Sequence, residues 1–283
     1  MCAVPSLPEA IVSRDILFTV VTPSFNCAPY IKRNLESVRQ QGLPPGQIEH
    51  WIIDGGSTDG TVDILRSAPD IRWVSEPDKG LSDAVNKGIQ RSQGEWIAWI
   101  NADDQLCPGA LKTVRDWAQR FPDAKIFVGD EIILRYDGTQ EQVVKGRAYT
   151  LDDLLGRESG INQASTIVHR SVYERVGLLD VGIRYAMDYE WMVRASEFFP
   201  CVYIPQALTA YQRREGSLMD AHMAAHFRTF QAVRRRYRRP PWEPLGRRIG
   251  FYLATEPLRR IRWVRSLVRG IKTAFGREPL HPF

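Results

Sequence analysis

Long hydrophobic runs are missing from this chain. Its longest purely apolar stretches, such as Trp96 to Ile100, are strand-sized, far short of the ~20 residues a bilayer-spanning helix needs. A basic start followed by an apolar segment is also missing at the N-terminus, so no signal peptide is expected. Cysteine is scarce. Cys2, Cys27, Cys107 and Cys201 lie far apart and form no CxxC pair, which argues against a zinc site or a disulfide framework and fits a reducing cytosol. No GxGxxG is present, so a dinucleotide cofactor is disfavoured. No internal repeat or low-complexity tract stands out. What remains is an ordinary globular composition, 43% hydrophobic and 25% charged over 283 residues. That length suits one large α/β domain with appendages, or two small domains.

Charge is unevenly spread. The net +5 divides at Arg228: from there to the end, 15 Lys and Arg face Glu243, Glu256 and Glu278, a net of +12 that leaves −7 for the rest. The tail therefore calls for an anionic partner or a solvated face.

The first hundred residues alternate between strand and helix patterns. Strands are expected over Phe18 to Thr22 (ended by Pro23), Ile48 to Ile53, Ile71 to Val74 and Glu95 to Ile100. Between them lie a helix from about Pro29 to Gln41 capped by Asn26, a short one capped by Ser57 or Asp59, and one through Ala84, Val85 and Ile89. A further helix carries Pro108 in its first turn. Such alternation indicates βαβ units and a mostly parallel sheet. Later segments are less regular. Ile126 to Tyr136, Val143 to Ala148, Ser165 to Val168, Val202 to Ile204 and Leu208 to Tyr211 read as edge or antiparallel strands, and Ser171 to Val176 and Asp188 to Phe198 as helices. Pro240-Pro241 marks a boundary between a catalytic body, 1–240, and a C-terminal extension, 241–283, where Thr255-Glu256-Pro257 has the form of a helix start. Beyond it Ile261, Val264, Leu267, Val268, Ile271 and Phe275 recur at helical spacing among Arg259, Arg260, Arg262, Arg265, Arg269 and Lys272. This is a basic amphipathic pattern suited either to an anionic membrane or to docking on the body. No nucleic-acid module is apparent.

Open parallel sheets bind ligands at the carboxyl ends of their strands. After the four expected strands come Thr22-Pro23-Ser24-Phe25-Asn26, Asp54 to Gly60, Glu76-Pro77-Asp78-Lys79-Gly80 and Asn101-Ala102-Asp103-Asp104. Four polar clusters at one edge suggest a binding site. Asp103-Asp104 can hold a hard divalent cation, which in turn can neutralise a departing diphosphate; alone, the pair fits a helix cap equally well. Asp54 can accept a proton from a nucleobase imide, and alone reads as part of a glycine-rich turn. Asp188 can take a proton from an attacking hydroxyl, and alone reads as an N-cap. His222 and His226, four apart, lack a third ligand and read as structural or surface residues.

Together the segments TVVTPSFN, IIDGGSTDGT, SEPDKGLSDAVNKGI, GEWIAWINADD and CPGAL, in this order and spacing, resemble the donor half of family 2 glycosyltransferases. The forms DGGSTDGT and EPDKG are similar to those of the subset that builds colanic acid, capsule, O-antigen and other exopolysaccharides. A looser likeness continues through NQASTIVHRSVYERVGLLD, YAMDYEWMVRA and YQRREGS, to about residue 218.

The resemblance implies a GT-A, Rossmann-like sheet flanked by helices, with a smaller antiparallel acceptor-side portion and a helical tail. It implies a metal-dependent inverting glycosyltransferase using Mn2+ or Mg2+, a nucleotide-diphosphate sugar donor, and a glycan or lipid-linked acceptor in cell-surface polysaccharide synthesis. Asp54 then recognises the donor base, with Thr22, Pro23 and Asn26 nearby. Asn101-Ala102-Asp103 occupies the DxD motif, with Asp103, and Asp104 beside it, on the metal and Asn101 hydrogen-bonding the ribose. Asp188 resembles the catalytic base. Val85 stands where many members carry Arg, and Met187 where many carry Glu; Asp83, Lys79 and Arg213 are at hand to compensate, and Trp191 could stack on a sugar. Expected partners are the donor, the acceptor and an anionic membrane surface through the tail, but no nucleic acid. The expected location is cytoplasmic, peripheral to the inner face of the membrane. Two rivals are a nucleotide-sugar-forming nucleotidyltransferase, which should show a glycine-rich basic loop that TPSFNCAPY lacks, and a non-catalytic carbohydrate-binding scaffold.

Overall fold

The computed structural model describes residues 16–157, 161–213 and 218–256. Its strands are β1 (Phe18–Ser24), β2 (Ile48–Asp54), β3 (Arg72–Ser75), β4 (Trp96–Trp99), β5 (Gln105–Leu106), β6 (Ile126–Leu134), β7 (Gln140–Val144), β8 (Thr166–His169) and β9 (Cys201–Gln212). Its helices are α1 (Ile31–Arg39), α2 (Thr61–Arg66), α3 (Leu81–Arg91), α4 (Ala110–Arg120), α5 (Arg170–Val176), α6 (Met187–Ser196), α7 (Leu218–Arg236) and α8 (Pro244–Thr255), with a π-helical turn over Asp153–Arg157. One sheet runs in the order β3-β2-β1-β4-β8-β6-β9-β5, and β7 pairs with the outside of β6. The β3-β2-β1-β4 portion is parallel. Beyond β4, pairing is antiparallel except for β6 with β9. This is the expected α/β GT-A architecture, with its parallel half and its smaller antiparallel part.

Buried β-branched strands between amphipathic helices account for the parallel half. β1 is buried along its whole length. Helix α3 lays Ala84, Val85 and Ile89 on it. Gly88 permits the close approach, since a Cβ there would lie 2.3 Å from Cγ1 of Val21. Gly88→Ala is therefore expected to destabilise the fold by about 1–3 kcal/mol through overpacking, outweighing the ~1 kcal/mol alanine gains over glycine within a helix. Chemical denaturation measures this, and a more stable variant would contradict the packing.

Several local expectations are corrected. Pro23 continues β1 instead of ending it, pairing with Ile53 of β2. Pairing of β1 with β4 stops at Val21, so on that side proline's missing N–H leaves no ladder bond unmade. Asn26 does not cap α1, which starts at Ile31 with no side-chain cap. The two short strands read near residues 202 and 211 are one, β9, whose register against β6 shifts between Val128 and Glu131, opposite a stretch that includes Pro205. Thr255 closes α8 rather than opening a helix, its hydroxyl donating back to Phe251 and Tyr252 carbonyls. Helix α8 was not foreseen. It packs on the body across the 240–241 boundary, burying Leu245 and Ile249 in the same core as Phe227, Phe230 and Leu154, while buried Arg234 pairs with Glu243 at 3.0 Å. The amphipathic stripe from Ile261 to Phe275 lies outside the described residues. Among those described, no helix is long and apolar enough to cross a membrane.

Candidate active site

The loops after β1 and β2 are zipped together at the sheet's carboxyl edge. Asn26, in the left-handed backbone region at φ 51°, accepts from Thr58 N at 2.9 Å, and its own N–H donates to Ser57 Oγ at 2.7 Å. Asp59 accepts from Ala28 N and from Thr61 N and Oγ1, while Thr61 Oγ1 accepts from Cys27 N. Asp54 is fully buried at the end of β2, and four donors converge on it: Gly56 N, Ser57 N, Ser57 Oγ and Ser75 Oγ. Three of them reach Oδ2 and one, from Ser57 Oγ, reaches Oδ1, which leaves Oδ1 with acceptor capacity. Asp54 thus shapes the crevice where a base would lie. The carboxylate facing the next position is Asp78: a Cβ on Gly55 would sit 2.5 Å from Asp78 Oδ2. Thr22 is buried beneath, bonded to His50 Nε2 at 2.9 Å, and Pro23 is buried beside it.

The Glu76-to-Gly80 loop is held from α3. Asp83 accepts from Lys79 N at 3.1 Å, tying the loop to the first turn of α3, and pairs with Lys87 at 3.3 Å. Lys87 also reaches Glu76 at 3.0 Å and the Pro77 carbonyl. Asp83 is thereby committed to local structure, whereas Lys79 presents an exposed side chain at the crevice. Sequence reasoning missed Lys87, although its spacing four after Asp83 is the helix-pair signal.

After β4 the Asn101-to-Asp104 turn divides the two neighbouring carboxylates. Asp103 is half-buried at the edge. Asp104 is 0% exposed. Its Oδ1 accepts from Gln212 N at 3.1 Å and its Oδ2 from Asn101 Nδ2 at 3.3 Å. Burial, with the nearby charges of Asp103 and Glu131, holds its carboxyl well above the usual range. This corrects its expected place on the metal: with both oxygens engaged and no exposed surface, Asp104 serves as a buried brace to β9. Asn101 bridges Trp99 Nε1 and Asp104, and Ala102 is buried, so only its backbone can meet a ligand. Buried Asn34 on α1 donates to the Asn101 and Asp104 carbonyls, and Gln163 to the Trp99 carbonyl. Asn34 was detectable as the polar residue on the apolar face carrying Ile31, Leu35 and Val38.

Glu131, under this turn on β6, was also missed, although the two adjacent carboxylates Asp130 and Glu131 inside an otherwise apolar strand are a signal. Burial pushes its carboxyl up to about 7, against a hydrogen bond from Thr209. The folded chain thus binds a proton that the unfolded chain releases near the ordinary value, so stability falls as pH rises through 4.5 to 7. Glu131→Gln is expected to be more stable than the parent at pH 8 by on the order of 3 kcal/mol, with the gap closing by pH 4. Thermal melts across pH test this, and a gap independent of pH would refute it.

Among the described residues, no three His, Cys, Asp or Glu are gathered to hold a metal ion. Asp103 by itself fits a cation whose remaining ligands come from water and a diphosphate, the manner in which magnesium is usually held. His222 sits at a break in α7 (φ −131°, ψ 28°). The His226 ring is buried near Tyr185, and burial, then the His222 charge, bring it down to about 4.

Asp188 lies in the first turn of α6, which starts after Ala186 in the left-handed region at φ 55°. Asp188 is half-buried. Burial raises its carboxyl above the ordinary range, against the pull of the Tyr189 and Asp188 backbone N–H groups; desolvation thus outweighs the helix dipole that alone would keep it ionised. The segment leading to it is fastened to α3: Asn86 exchanges two hydrogen bonds with Leu179, and Ser82 donates to the Ile183 carbonyl. Trp191, expected to stack on a sugar, is 5% exposed; it stacks on Tyr173 at 4.4 Å and donates to the Gly177 carbonyl. Helical spacing alone would put it on the same side as Asp188, but the contacts with Tyr173 and Gly177, on and just after α5, turn its ring into the core. Arg213 is paired with Glu141 at 2.9 Å.

A sheet of this topology with a carboxylate-bearing turn after β4 is the GT-A frame. Residues 19–177 match glycosyl transferase family 2, and the chain belongs to that family. The curated relatives include a PGL/p-HBAD biosynthesis glycosyltransferase of Mycobacterium bovis, 28% identical over 201 residues, 69% of this chain and 73% of the relative. Chondroitin synthase of Escherichia coli is 32% identical over 114 residues, 39% of this chain and 16% of that one. Among solved structures, S. aureus TarS 1-349 in complex with UDP-GlcNAc matches with TM-score 0.62 and 16% identity, over 77% of this chain and 66% of that one. The mannosyltransferase PcManGT from Pyrobaculum calidifontis, in complex with GDP-Man and Mn2+, matches with TM-score 0.61 and 20% identity, over 88% and 72%.

Proposed function

We propose that this family 2 enzyme is a metal-dependent, inverting glycosyltransferase. It moves a sugar from a nucleoside diphosphate to a hydroxyl of a glycan or lipid-linked acceptor, in cell-surface polysaccharide synthesis at the cytoplasmic face of the membrane. The observation that carries this reading is the pair of half-buried carboxylates, Asp103 after β4 and Asp188 at the start of α6. The complexes of TarS with UDP-GlcNAc and of PcManGT with GDP-Man and Mn2+ support the same ligand classes here.

In this reading the nucleoside lies between the loops after β1 and β2, bordered by Asn26, Asp54 and Asp78, over Thr22 and Pro23. Asn101 and the Ala102 backbone meet the ribose. Lys79 faces the diphosphate, with Asp83 and Arg213 acting only through the loops they brace. Asp103 would hold Mn2+ or Mg2+, which would supply positive charge against the departing diphosphate. Asp188 accepts the proton of the acceptor hydroxyl as its oxygen attacks the anomeric carbon. The new carbon–oxygen bond forms as the bond to the diphosphate breaks, with inversion and no covalent enzyme intermediate. The test is a screen of nucleoside diphosphates and their sugars with and without manganese or magnesium, read by thermal shift and nucleoside diphosphate release. Cation-dependent stabilisation with slow donor hydrolysis is expected. A nucleotidyltransferase would instead release pyrophosphate from a nucleoside triphosphate, and a scaffold would release nothing.

A further inference from the structure

Helices α7 and α8 form an antiparallel pair. At one end Arg234 meets Glu243 at 3.0 Å. At the other, the Phe227 ring lies 4.4 Å from Tyr252, and Arg228 pairs with Glu256 at 2.6 Å. That second end adjoins the candidate base. The ring of Tyr185, three residues before Asp188, is 4.7 Å from His222 and 5.5 Å from His226 near the start of α7. The chain therefore leaves α8 on the Asp188 side of the molecule. Beyond it the sequence holds seven Lys and Arg from Arg259 to Arg277 against Glu278 alone.

The outward side of α8 is apolar and basic. Arg247, Phe251 and Ala254, spaced four and three apart, share one exposed stripe. Phe251 is 56% exposed, and Trp242, just before the helix, is 72% exposed. The two carboxylates of this region are turned to other partners, Glu243 to Arg234 and Arg239 and Glu256 to Arg228. Arg235, Arg236 and Arg238 at the end of α7 are exposed as well. Large aromatic side chains left in water beside arginines, with no carboxylate on the stripe, match the chemistry of a bilayer interface. There rings sit at the headgroup level and guanidinium groups meet phosphates.

We propose that the exposed Arg247–Phe251 stripe of α8, with Trp242 just before the helix, docks on an anionic phospholipid surface, holding the Asp188 side of the enzyme toward a membrane-borne acceptor. The purpose assigned to the contact rests on the lipid-linked acceptor of the proposed function; the contact itself does not. Confinement of the enzyme near its acceptor raises the effective concentration of one for the other. Headgroup attraction by arginines adds to aromatic burial and weakens as salt shortens its reach.

The experiment is flotation of the full chain with phosphatidylcholine vesicles and with phosphatidylcholine–phosphatidylglycerol vesicles, at low and high salt. The parent is expected to bind the anionic vesicles at least ten-fold more tightly than the neutral ones, and less tightly as salt rises. The double variant Trp242→Ser, Phe251→Ser and the charge variant Arg238→Glu, Arg247→Glu should each lose at least ten-fold on anionic vesicles. Both change only exposed residues and should keep the parent's melting temperature and its response to nucleoside diphosphate. That response reports the donor site, so failure of the family reading and failure of the docking face are told apart. A parent that ignores anionic vesicles at low salt overturns the proposal, and so do variants that bind like the parent. A concentration-dependent dimer of the parent that both variants abolish would assign the face to a second copy of the chain and overturn it equally.

Discussion

Asp188→Asn is expected to leave nucleoside diphosphate binding unchanged while transfer falls by about 10² to 10⁴. Asparagine keeps the shape of the side chain and its acceptor oxygen toward the backbone N–H groups at the start of α6, so the left-handed turn at Ala186 and the fastening of residues 179–183 to α3 survive. What is lost is the ability to take a proton. A carboxyl raised above its ordinary value by burial is a stronger base once ionised, but stays protonated to a higher pH. The parent's kcat/KM should therefore climb with pH through a limb above the usual carboxylate range. The residual rate of the variant should lack that limb. Product configuration adds a second readout: direct attack inverts the anomeric carbon. Loss of donor binding together with catalysis would reduce Asp188 to a structural role, and a trapped glycosyl-enzyme would overturn direct attack.

The parallel half of the fold was legible because each of its strands is a short apolar run ended by a polar cluster, and because the parallel order places those clusters at one edge. Asp103 and Asp188 could be picked out for the same reason: a carboxylate directly after a buried strand or at a helix start has a limited set of structural uses. The division of labour between neighbours was not legible. Asp103 and Asp104 are chemically identical in sequence, and only the approach of Gln212, from a strand 108 residues later, decides that Asp104 is braced inside. Asp54 could be read as a carboxylate closing a buried strand, but its partners Ser57 and Ser75 count as ordinary turn residues until the loops close on it. Trp191 illustrates the converse: one position along the helix from buried Glu190 and three from Asp188, its direction is set by the stack with Tyr173, a tertiary contact. Helix α8 was hidden by Pro240-Pro241 and by two internal glycines, Gly246 and Gly250, which lower helix propensity. Packing of Leu245 and Ile249 overrides it.

Asp103→Ala is expected to abolish cation-dependent donor binding and turnover, whereas Asp104→Asn should spare the cation response. The difference follows from where the two side chains point. Asp103 stands half-buried at the sheet edge. The oxygens of Asp104 face Gln212 and Asn101, and burial with the nearby charges of Asp103 and Glu131 raises its carboxyl. An inward carboxyl with both oxygens engaged contributes little to a cation, and its conversion to an amide changes little outside. Because no other cluster of His, Cys, Asp or Glu among the described residues gathers to hold a metal, loss of the Asp103 carboxylate leaves the ion with diphosphate and water alone. The measurement is the melting-temperature rise on adding nucleoside diphosphate with manganese or magnesium, repeated in excess chelator. A ligand at a hundred times its Kd stabilises the fold by about 2.7 kcal/mol. The parent should lose most of that rise in chelator, and Asp103→Ala should lack it from the start. Full turnover of the parent in excess chelator would remove the cation from the mechanism. An Asp104→Asn variant that loses the cation response while Asp103→Ala keeps it would exchange the two assignments.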